Sequence, residues 1–454
     1  MALSANSVWE VRTAGSDTNG GAFVAGASGT DFSQQNSKNT AGNNISTTDL
    51  VATGVATVTS ATASFTAAIV GNIIYLSGTG LTTGWYQAVT FTNSTTIVLD
   101  RSPGTGTNGV MNIGGALASL GMVGASFITS NIVWIKNGSY SVTSASNNVS
   151  GGCFSSAAAT CRVEGYNSTR GDMGSPPTLT ASGISTFILV NFTGNEVACG
   201  NLILNGSALT SSCATAGSGR MVWYGIAAQN CTNGGIKNTS GSALAINCTA
   251  TGCSVVSAIR VPRCYGCQSF SNTVTAFDSD ASPSGYFVNC LAYGNTGATS
   301  DGFNPSSNAT LINCVAYGNG RDGFRAGGGA GLVGMLQNCI AEANTGFGFN
   351  DTGDSFQLMN CAAYNNTGGN TSFSSSTINT SFTIGVSSFF IAAGSNNFQL
   401  NNTAGAGGAL RGTAFPASFA SGSTSTFRDV GIAQHQDSPD VIAPVINMYE
   451  TRYQ

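Results

Sequence analysis

The sequence predicts an all-β protein: a right-handed parallel β-helix with three strands per coil, preceded by a small N-terminal β domain. Three observations support this prediction: a cysteine motif that recurs along the chain, abundant glycine, and few charges. The chain has 454 residues with 61 glycines, and only 7% of its residues are charged. Short strands joined by tight turns need glycine, whereas long helices need runs of Ala, Leu, Glu and Lys that are missing.

The recurring motif is a cysteine directly after an asparagine. Aligned on that pair, the segments read SALAINCTATGC, SGYFVNCLAYGN, NATLINCVAYGN, VGMLQNCIAEAN and SFQLMNCAAYNN. The last four cysteines lie 24, 25 and 22 residues apart, which predicts coils of about 22–25 residues. A unit this short cannot bury a core alone, but stacked units can. Three strands at ~3.3 Å per residue and three turns fit one such unit.

From about Gly225 to Asn366 the repeat resembles the pectate-lyase-like superfamily of right-handed parallel β-helices, with the asparagine in the bend between the second and third strands. Its amide would bond to the asparagine of the next coil. Because side chains alternate faces along a strand, the cysteine after it points inward as a small apolar residue. We therefore expect an asparagine ladder and a cysteine ladder, formed by Asn289, Asn313, Asn338, Asn360, Cys248, Cys290, Cys314, Cys339 and Cys361.

The 13 cysteines first suggest disulfides, as in small secreted domains. Cysteines of one column, however, have parallel side chains, which is poor geometry for a bridge. Cys231 aligns as an earlier member of the series. Four others fall outside it, either as ladder members in irregular coils or as an occasional bridge: Cys153, Cys161, Cys199 and Cys213. A phenylalanine column on the first strand is also expected, formed by Phe303, Phe324 and Phe347.

The pattern changes twice along the chain. Residues 1–112 alternate apolar and polar side chains with glycine turns, as in FTAAIVGNIIYLSGTG, and predict a β-rich cap or attachment domain. Residues 113–430 carry the β-helix. Residues 431–454 predict a C-terminal strand and a docking tail, and FRDVGIAQHQ resembles the last coil of extracellular β-helix proteins.

Charge and hydropathy exclude several partners. The net charge is −4 with no basic cluster, so we expect no nucleic-acid partner, and no apolar run is long enough to span a membrane. The first residues lack the basic start and apolar run of a signal peptide, although the composition is typical of an extracellular adhesin. A phage protein, exposed on the virion surface and extracellular after lysis, would reconcile the two observations.

Enzymes of the superfamily work on the outer face of the first strand, by resemblance. The candidates there are Asp278, Asp301, Asn304, Asp322 and Arg325. Asp301 and Asp322 precede Gly-Phe one coil apart, which would set two carboxylates about 5 Å apart, as in retaining glycosidases. Equally, the acids could bind calcium with Asp278, and Arg325 could hold a uronate. The simpler interpretation is turn chemistry, because Asp before Gly favours turns. No other cofactor is expected, and catalysis is the less favoured alternative.

Tyr293, Tyr317 and Tyr364 share one outward column. Exposed aromatic rings suit the apolar faces of sugars, but a neighbouring subunit or the C-terminal segment could cover them instead. Resemblance to phage tailspikes implies a homotrimer attached to other virion proteins and presenting the β-helix to host surface polysaccharide. The alternatives are a polysaccharide lyase or glycoside hydrolase acting on host capsule, and a passive capsid decoration protein.

Overall fold

Short strands account for nearly all regular structure in the computed structural model. The structure describes residues 6–38, 46–121, 131–143, 149–151, 161–183, 188–192, 197–208, 212–216, 220–238, 242–279, 285–305, 308–326, 333–351, 355–373, 378–379, 381–414 and 429–432. Most of the predicted tail, residues 433–454, lies outside these ranges. Two compact units divide the chain, Met1–Val261 and Pro262–Gln454.

In the second unit, the strands of successive coils pair in parallel, each with its equivalent one coil later. The strands Phe390–Ala392 and Asn397–Leu400 form a separate antiparallel pair. The second strands of the coils are Arg263–Tyr265, Gly285–Val288, Ala309–Ile312, Val333–Gln337, Ser355–Met359 and Ile378–Asn379. The third strands are Gln268–Phe270, Leu291–Tyr293, Val315–Tyr317, Ile340–Glu342, Cys361–Tyr364 and Phe382–Ile384. The first strands are Phe277–Asp278, Phe324–Arg325, Phe347–Asn350 and Gly369–Ser372, with Phe303 joining by single bridges.

The first unit contains less regular coils with the same three walls. Its second strands are Ser7–Val11, Ile132–Lys136, Cys161–Tyr166 and Leu244–Ile246, with Ala22–Val24 antiparallel to the first of them. Its third strands are Ser139–Val142, Thr178–Ala181 and Thr249–Thr251, and Val197–Asn205 and Met221–Gln229 pass through both walls. Its first strands are Val149–Gly151, Ile188–Phe192, Ser212–Ala216, Ile236–Asn238 and Ile259–Arg260.

Residues 46–113 form a closed antiparallel barrel around their own apolar core. Its six strands are Ser46–Thr53, Thr57–Thr59, Ile73–Ser77, Gly84–Asn93, Thr96–Leu99 and Thr105–Ile113. The helical elements with described bounds are the 3₁₀ turns Ala67–Ile69 and Ala393–Ser395 and the α-helix Gly407–Leu410. None of these helices is long and apolar enough to cross a membrane.

Stacked identical side chains fill the coil interior of the second unit. Cys290, Cys314, Cys339 and Cys361 are buried and free, and each thiol donates to the carbonyl oxygen two residues before it, as from Cys314 to Ile312 at 3.5 Å. The phenylalanine column comprises Phe277, Phe303, Phe324 and Phe349, with ring centroids 4.8–5.0 Å apart. The expected member Phe347 is replaced by Phe349, because the strand hydrogen bonds pair Phe324 with Phe349.

One member of the aligned cysteine series is bridged. Cys231 forms a disulfide with Cys213, which corrects its assignment to a series of free thiols. The two cysteines do not share a column: Cys213 lies on a first strand and Cys231 follows a third strand. Their side chains meet across the coil interior, with Cα atoms 5.9 Å apart, a normal distance for a bridge. Cys161 is disulfide-bonded as well, and Cys153 lies outside the described residues.

Two asparagine ladders bind the coils of the second unit together. In the outer ladder, Asn313, Asn338 and Asn360 each donate a side-chain N–H to the asparagine one coil earlier, at 3.0–3.2 Å. These asparagines have φ near +54°, a left-handed conformation that asparagine tolerates better than most residues. The inner ladder is buried and runs in the opposite direction: Asn272, Asn295, Asn319 and Asn344 each donate to the asparagine one coil later, and Asn366 accepts the last of these bonds.

Candidate functional site

Asp301 lies directly before the first strand of its coil and is fully buried. Its Oδ1 accepts hydrogen bonds from Arg321 Nε at 2.6 Å and from the Asp322 backbone N–H at 3.1 Å, and its Oδ2 pairs with the same guanidinium. Burial raises the pKa of Asp301, and Arg321 opposes that rise. The carboxylate therefore joins one coil to the next.

Asp322 repeats this arrangement one coil later. Its Oδ1 accepts the Phe347 backbone N–H at 2.7 Å, and its Oδ2 accepts from Asn350 Nδ2 at 2.8 Å and Arg325 Nη1 at 3.1 Å. The residue is 2% exposed. Both carboxylates thus lie in neighbouring coils, as the spacing implies, but their oxygens are already engaged by protein donors.

The outward positions of the first strand carry the remaining candidates. Asp278, Asn304 and Arg325 each follow a phenylalanine of the column, so they form one row across successive coils. All three are partly exposed. In the part of the chain that the structure describes, Asn304 Oδ1 has no hydrogen-bond partner. Asn304 Oδ1 is itself a buried atom, so the group that this row presents to solvent is the Arg325 side chain, which is 31% exposed.

A calcium ion does not fit the two buried aspartates. Arginine N–H groups occupy a carboxylate oxygen of each, at Arg321 and Arg325. A hard cation would have to displace those guanidiniums, which repel it. No cluster of three or more His, Cys, Asp or Glu side chains suited to a metal ion occurs within the described ranges.

The outward tyrosine column contacts a later segment of the same chain, residues 385–414 and 429–432, which we call the C-terminal strap. The ring of Tyr317 lies 6.2 Å from Phe390 and 5.6 Å from Phe398 between centroids, and Tyr364 lies 6.3 Å from Phe389. Apolar strap residues also cover the neighbouring outward column of the third strands. Most of the column is therefore packed beneath the strap.

Glu342 occupies the position that tyrosine holds in neighbouring coils. It is 3% exposed, and its Oε2 accepts the Phe389 backbone N–H of the strap at 3.0 Å. Burial raises the pKa of Glu342, while hydrogen bonds from Ser388 and Phe389 oppose the rise. The carboxylate anchors the strap to the third wall.

Where the strap meets the first coil of the column, it leaves a cleft of about 370 Å³ open to solvent. Tyr293 and Phe398 are in contact there, with ring centroids 5.3 Å apart and ring planes tilted by 56°, and Phe270 stacks on Tyr293 with centroids 4.9 Å apart. Two aliphatic and four amide side chains complete the described lining: Leu291, Ile432, Gln268, Asn396, Asn397 and Gln399. None of the described residues that line the cleft is charged.

Of these residues, sequence reasoning found only Tyr293. The strap side of the cleft comes from the segment NNFQL, which no repeat in the sequence connects with the tyrosine column. The alternation of amide and apolar residues in this segment is the sequence signal that predicts a strand with one buried face. The alternation places Phe398 and Leu400 inward while Gln399 stays exposed.

No model of a known protein family and no curated protein sequence matches the chain. Among solved structures, it is similar to pectate lyase Pel9A, with a TM-score of 0.51 and 15% identity over 71% of this chain and 92% of that chain. It also matches ORF18 of Geobacillus virus E2, with a TM-score of 0.36 and 13% identity over 56% and 53% of the two chains. The stacked parallel strands and the likeness to Pel9A confirm the predicted β-helix; at this identity the likeness supports the fold alone.

Proposed function

We propose that this protein binds polysaccharide through the cleft between its third wall and the C-terminal strap. The observation that carries the proposal is the pairing of Tyr293 and Phe398 with four amide side chains. Sugar rings present apolar faces that pack on aromatic rings, and their hydroxyl groups exchange hydrogen bonds with amides, which both donate and accept. Because the described lining is uncharged, a neutral glycan fits it better than a uronate polymer.

Cleavage of the polysaccharide is the alternative activity. The outward row of Asp278, Asn304 and Arg325 would carry it, since the oxygens of Asp301 and Asp322 are engaged within the protein. Release of reducing or unsaturated ends from capsular polysaccharide, lost in Arg325→Gln, would favour that activity over simple binding.

Binding to the cleft is tested by isothermal titration calorimetry against a glycan array hit. We expect Tyr293→Ala to weaken binding about tenfold, because stacking and area burial on one ring contribute on the order of 1–2 kcal/mol. Tyr286→Ala is the matched control, because Tyr286 is a partly exposed tyrosine of the same unit that contacts Tyr265 and lies outside the cleft. Equal binding by the native protein and Tyr293→Ala would overturn the proposal.

We also propose that the glycan lies on a host cell surface and that the protein stands on a phage virion as a homotrimer. The low charge and polar uncharged composition support exposure outside the cell. Immunogold labelling of virions and sedimentation of the purified protein test the location and the trimer. Labelling of the head with no glycan binding would favour a passive decoration protein.

A further inference from the structure

A second cluster of charged and aromatic side chains lies on the outward face of the second wall in the unit Met1–Val261. In the strand register, Trp134 lies between Glu10 on one neighbouring strand and Glu164 on the other. With parallel strands about 4.8 Å apart, the three residues span roughly 10 Å. Only 7% of the chain is charged, so two fully buried glutamates beside one tryptophan are a notable concentration.

Both carboxylate oxygens of Glu10 accept hydrogen bonds from side chains of the protein itself. Its Oε1 accepts from Arg12 Nε at 2.7 Å and from the Tyr166 hydroxyl, and its Oε2 accepts from Arg170 Nε at 2.8 Å. Arg170 also pairs with Asp31 at 2.8 Å. These contacts fix the edge of the cluster and leave Glu10 with a structural role.

Glu164 differs from Glu10 at one carboxylate oxygen. Its Oε2 accepts the Tyr224 hydroxyl at 2.6 Å and pairs with Arg162. Its Oε1 is buried and has no hydrogen-bond partner among the described residues. Leaving an oxygen of a buried carboxylate without a donor costs free energy, so this atom requires an explanation that the fold does not supply.

The aromatic ring of Trp134 lies beside Glu164 and offers a flat apolar face. Trp134 is partly exposed, Tyr166 meets it edge-on with centroids 6.2 Å apart, and the Arg162 guanidinium lies 5.4 Å from the ring centroid. The Arg162 side chain is 44% exposed, so it can move without breaking the core. Gly200 makes the arrangement possible: a Cβ atom there would lie 2.0 Å from the Tyr224 ring, which crosses Gly200 to reach Glu164.

We propose that Trp134 and Glu164 form a second sugar-binding site, separate from the cleft at the strap and independent of the function proposed for it. A pyranose ring packs on the Trp134 face when Arg162 moves aside, and a sugar hydroxyl donates to Glu164 Oε1. The three carboxylates of the cluster are balanced by Arg12, Arg162 and Arg170. A neutral glycan rich in hydroxyl donors therefore fits, whereas a polyuronate would bring its own carboxylates to an acceptor that is already anionic.

Tryptophan fluorescence reports on this site directly. Trp9 and Trp223 are fully buried, and Trp85 donates its ring N–H to the Asn19 carbonyl oxygen at 3.0 Å. The full chain is titrated with maltohexaose, cellohexaose, chitohexaose and mannohexaose, and with hexagalacturonate as the anionic probe. We expect a saturable emission change with at least one neutral hexasaccharide and none with hexagalacturonate.

Two variants test the assigned residues. Trp134→Ala removes the emission change and weakens calorimetric binding about tenfold, and Glu164→Gln weakens it by a similar factor. Trp85→Phe is the control and keeps both signals. Tyr293→Ala also keeps the emission change, which separates this site from the strap cleft. No response to any neutral hexasaccharide, or unchanged binding by Trp134→Ala with a native melting temperature, would overturn the proposal.

Discussion

Replacing Asn319 by alanine removes the middle rung of the inner asparagine ladder. Its Nδ2 donates to Asn344 Oδ1 at 2.9 Å and to the Ala292 carbonyl oxygen at 3.2 Å, and its Oδ1 accepts from Asn295 Nδ2 at 2.8 Å. The residue is fully buried, so water cannot replace these bonds. The substitution therefore affects three neighbouring coils at once.

The expected loss of stability follows from the three hydrogen bonds that the substitution removes. Each contributes about 1 kcal/mol net, which gives a loss of roughly 3 kcal/mol in the free energy of opening the coils. The two neighbouring amide atoms that lose Asn319 each keep one bond: Asn295 Nδ2 still donates to the Ser269 carbonyl oxygen, and Asn344 Oδ1 still accepts the residue 319 backbone N–H. Those remaining bonds argue against a larger value.

Thiol labelling measures the opening where it occurs. All four tryptophans lie before residue 262, so their fluorescence does not report on the second unit, whereas Cys314 is buried there and free. Labelling of Cys314 by iodoacetamide, followed by mass spectrometry after proteolysis, reports the population of opened coils when reclosing is fast. A loss of about 3 kcal/mol predicts labelling that is about 100-fold faster in Asn319→Ala.

Asn313→Gly is the matched control from the outer ladder. It also loses side-chain bonds, to Asn289 and from Asn338, but the residue is only half-buried and glycine tolerates its φ of 54°. We expect labelling of Cys314 to rise less than about fivefold. If both variants accelerate labelling equally, or Asn319→Ala accelerates it less than tenfold, the inner ladder does not hold the coils as argued.

Two further predictions concern single positions. Because burial raises the folded-state pKa of Glu342 above its ordinary 4.5, its contribution is favourable below pH 4.5 and is lost as pH rises through the raised pKa. Glu342→Gln should therefore gain melting temperature relative to the native protein between pH 4 and 7; a constant difference would contradict this. Gly200→Ala should destabilise by about 1–3 kcal/mol in urea, because its Cβ meets the Tyr224 ring, whereas Gly394→Ala, with open space around it, should change stability by less than about 0.5 kcal/mol.

The repeat allowed much of the interior to be predicted. Alternation along a strand puts Cys314 and Leu311 inside, and both are buried in the structure. The segment GFGF in the fourth coil offered two phenylalanines of the same parity, and only the hydrogen-bond register decides that Phe349 joins the column. Motif spacing cannot resolve such a two-residue shift, because both choices keep the side chain on the same face.

The inner ladder leaves a repeated signal in the sequence. Asn295 and Asn319 close the repeated segment YGN, and the glycine before each has φ near +60°. That bend turns the amide into the core, where a buried asparagine survives only if every polar atom finds a partner. Composition alone favours an exposed asparagine, and the stacked geometry of the coils reverses that preference.

The candidate sites were harder to predict, because each depends on segments that are distant in the sequence. Phe398 meets Tyr293 from more than 100 residues away, and Tyr224 reaches Glu164 only because glycine occupies the strand between them. Periodicity predicts which face a side chain occupies but not what covers it.

The buried carboxylates of this chain differ in how completely their hydrogen bonds are met. Asp301 and Asp322 accept hydrogen bonds on both carboxylate oxygens, mainly from the following coil, so these oxygens are engaged within the fold and not available to a substrate. Glu164 is equally buried, but one of its carboxylate oxygens has no donor among the residues that the structure describes. Since a stable fold gains nothing from an unpaired anionic oxygen, function is better sought at Glu164 than at the two aspartates that sequence spacing first suggested.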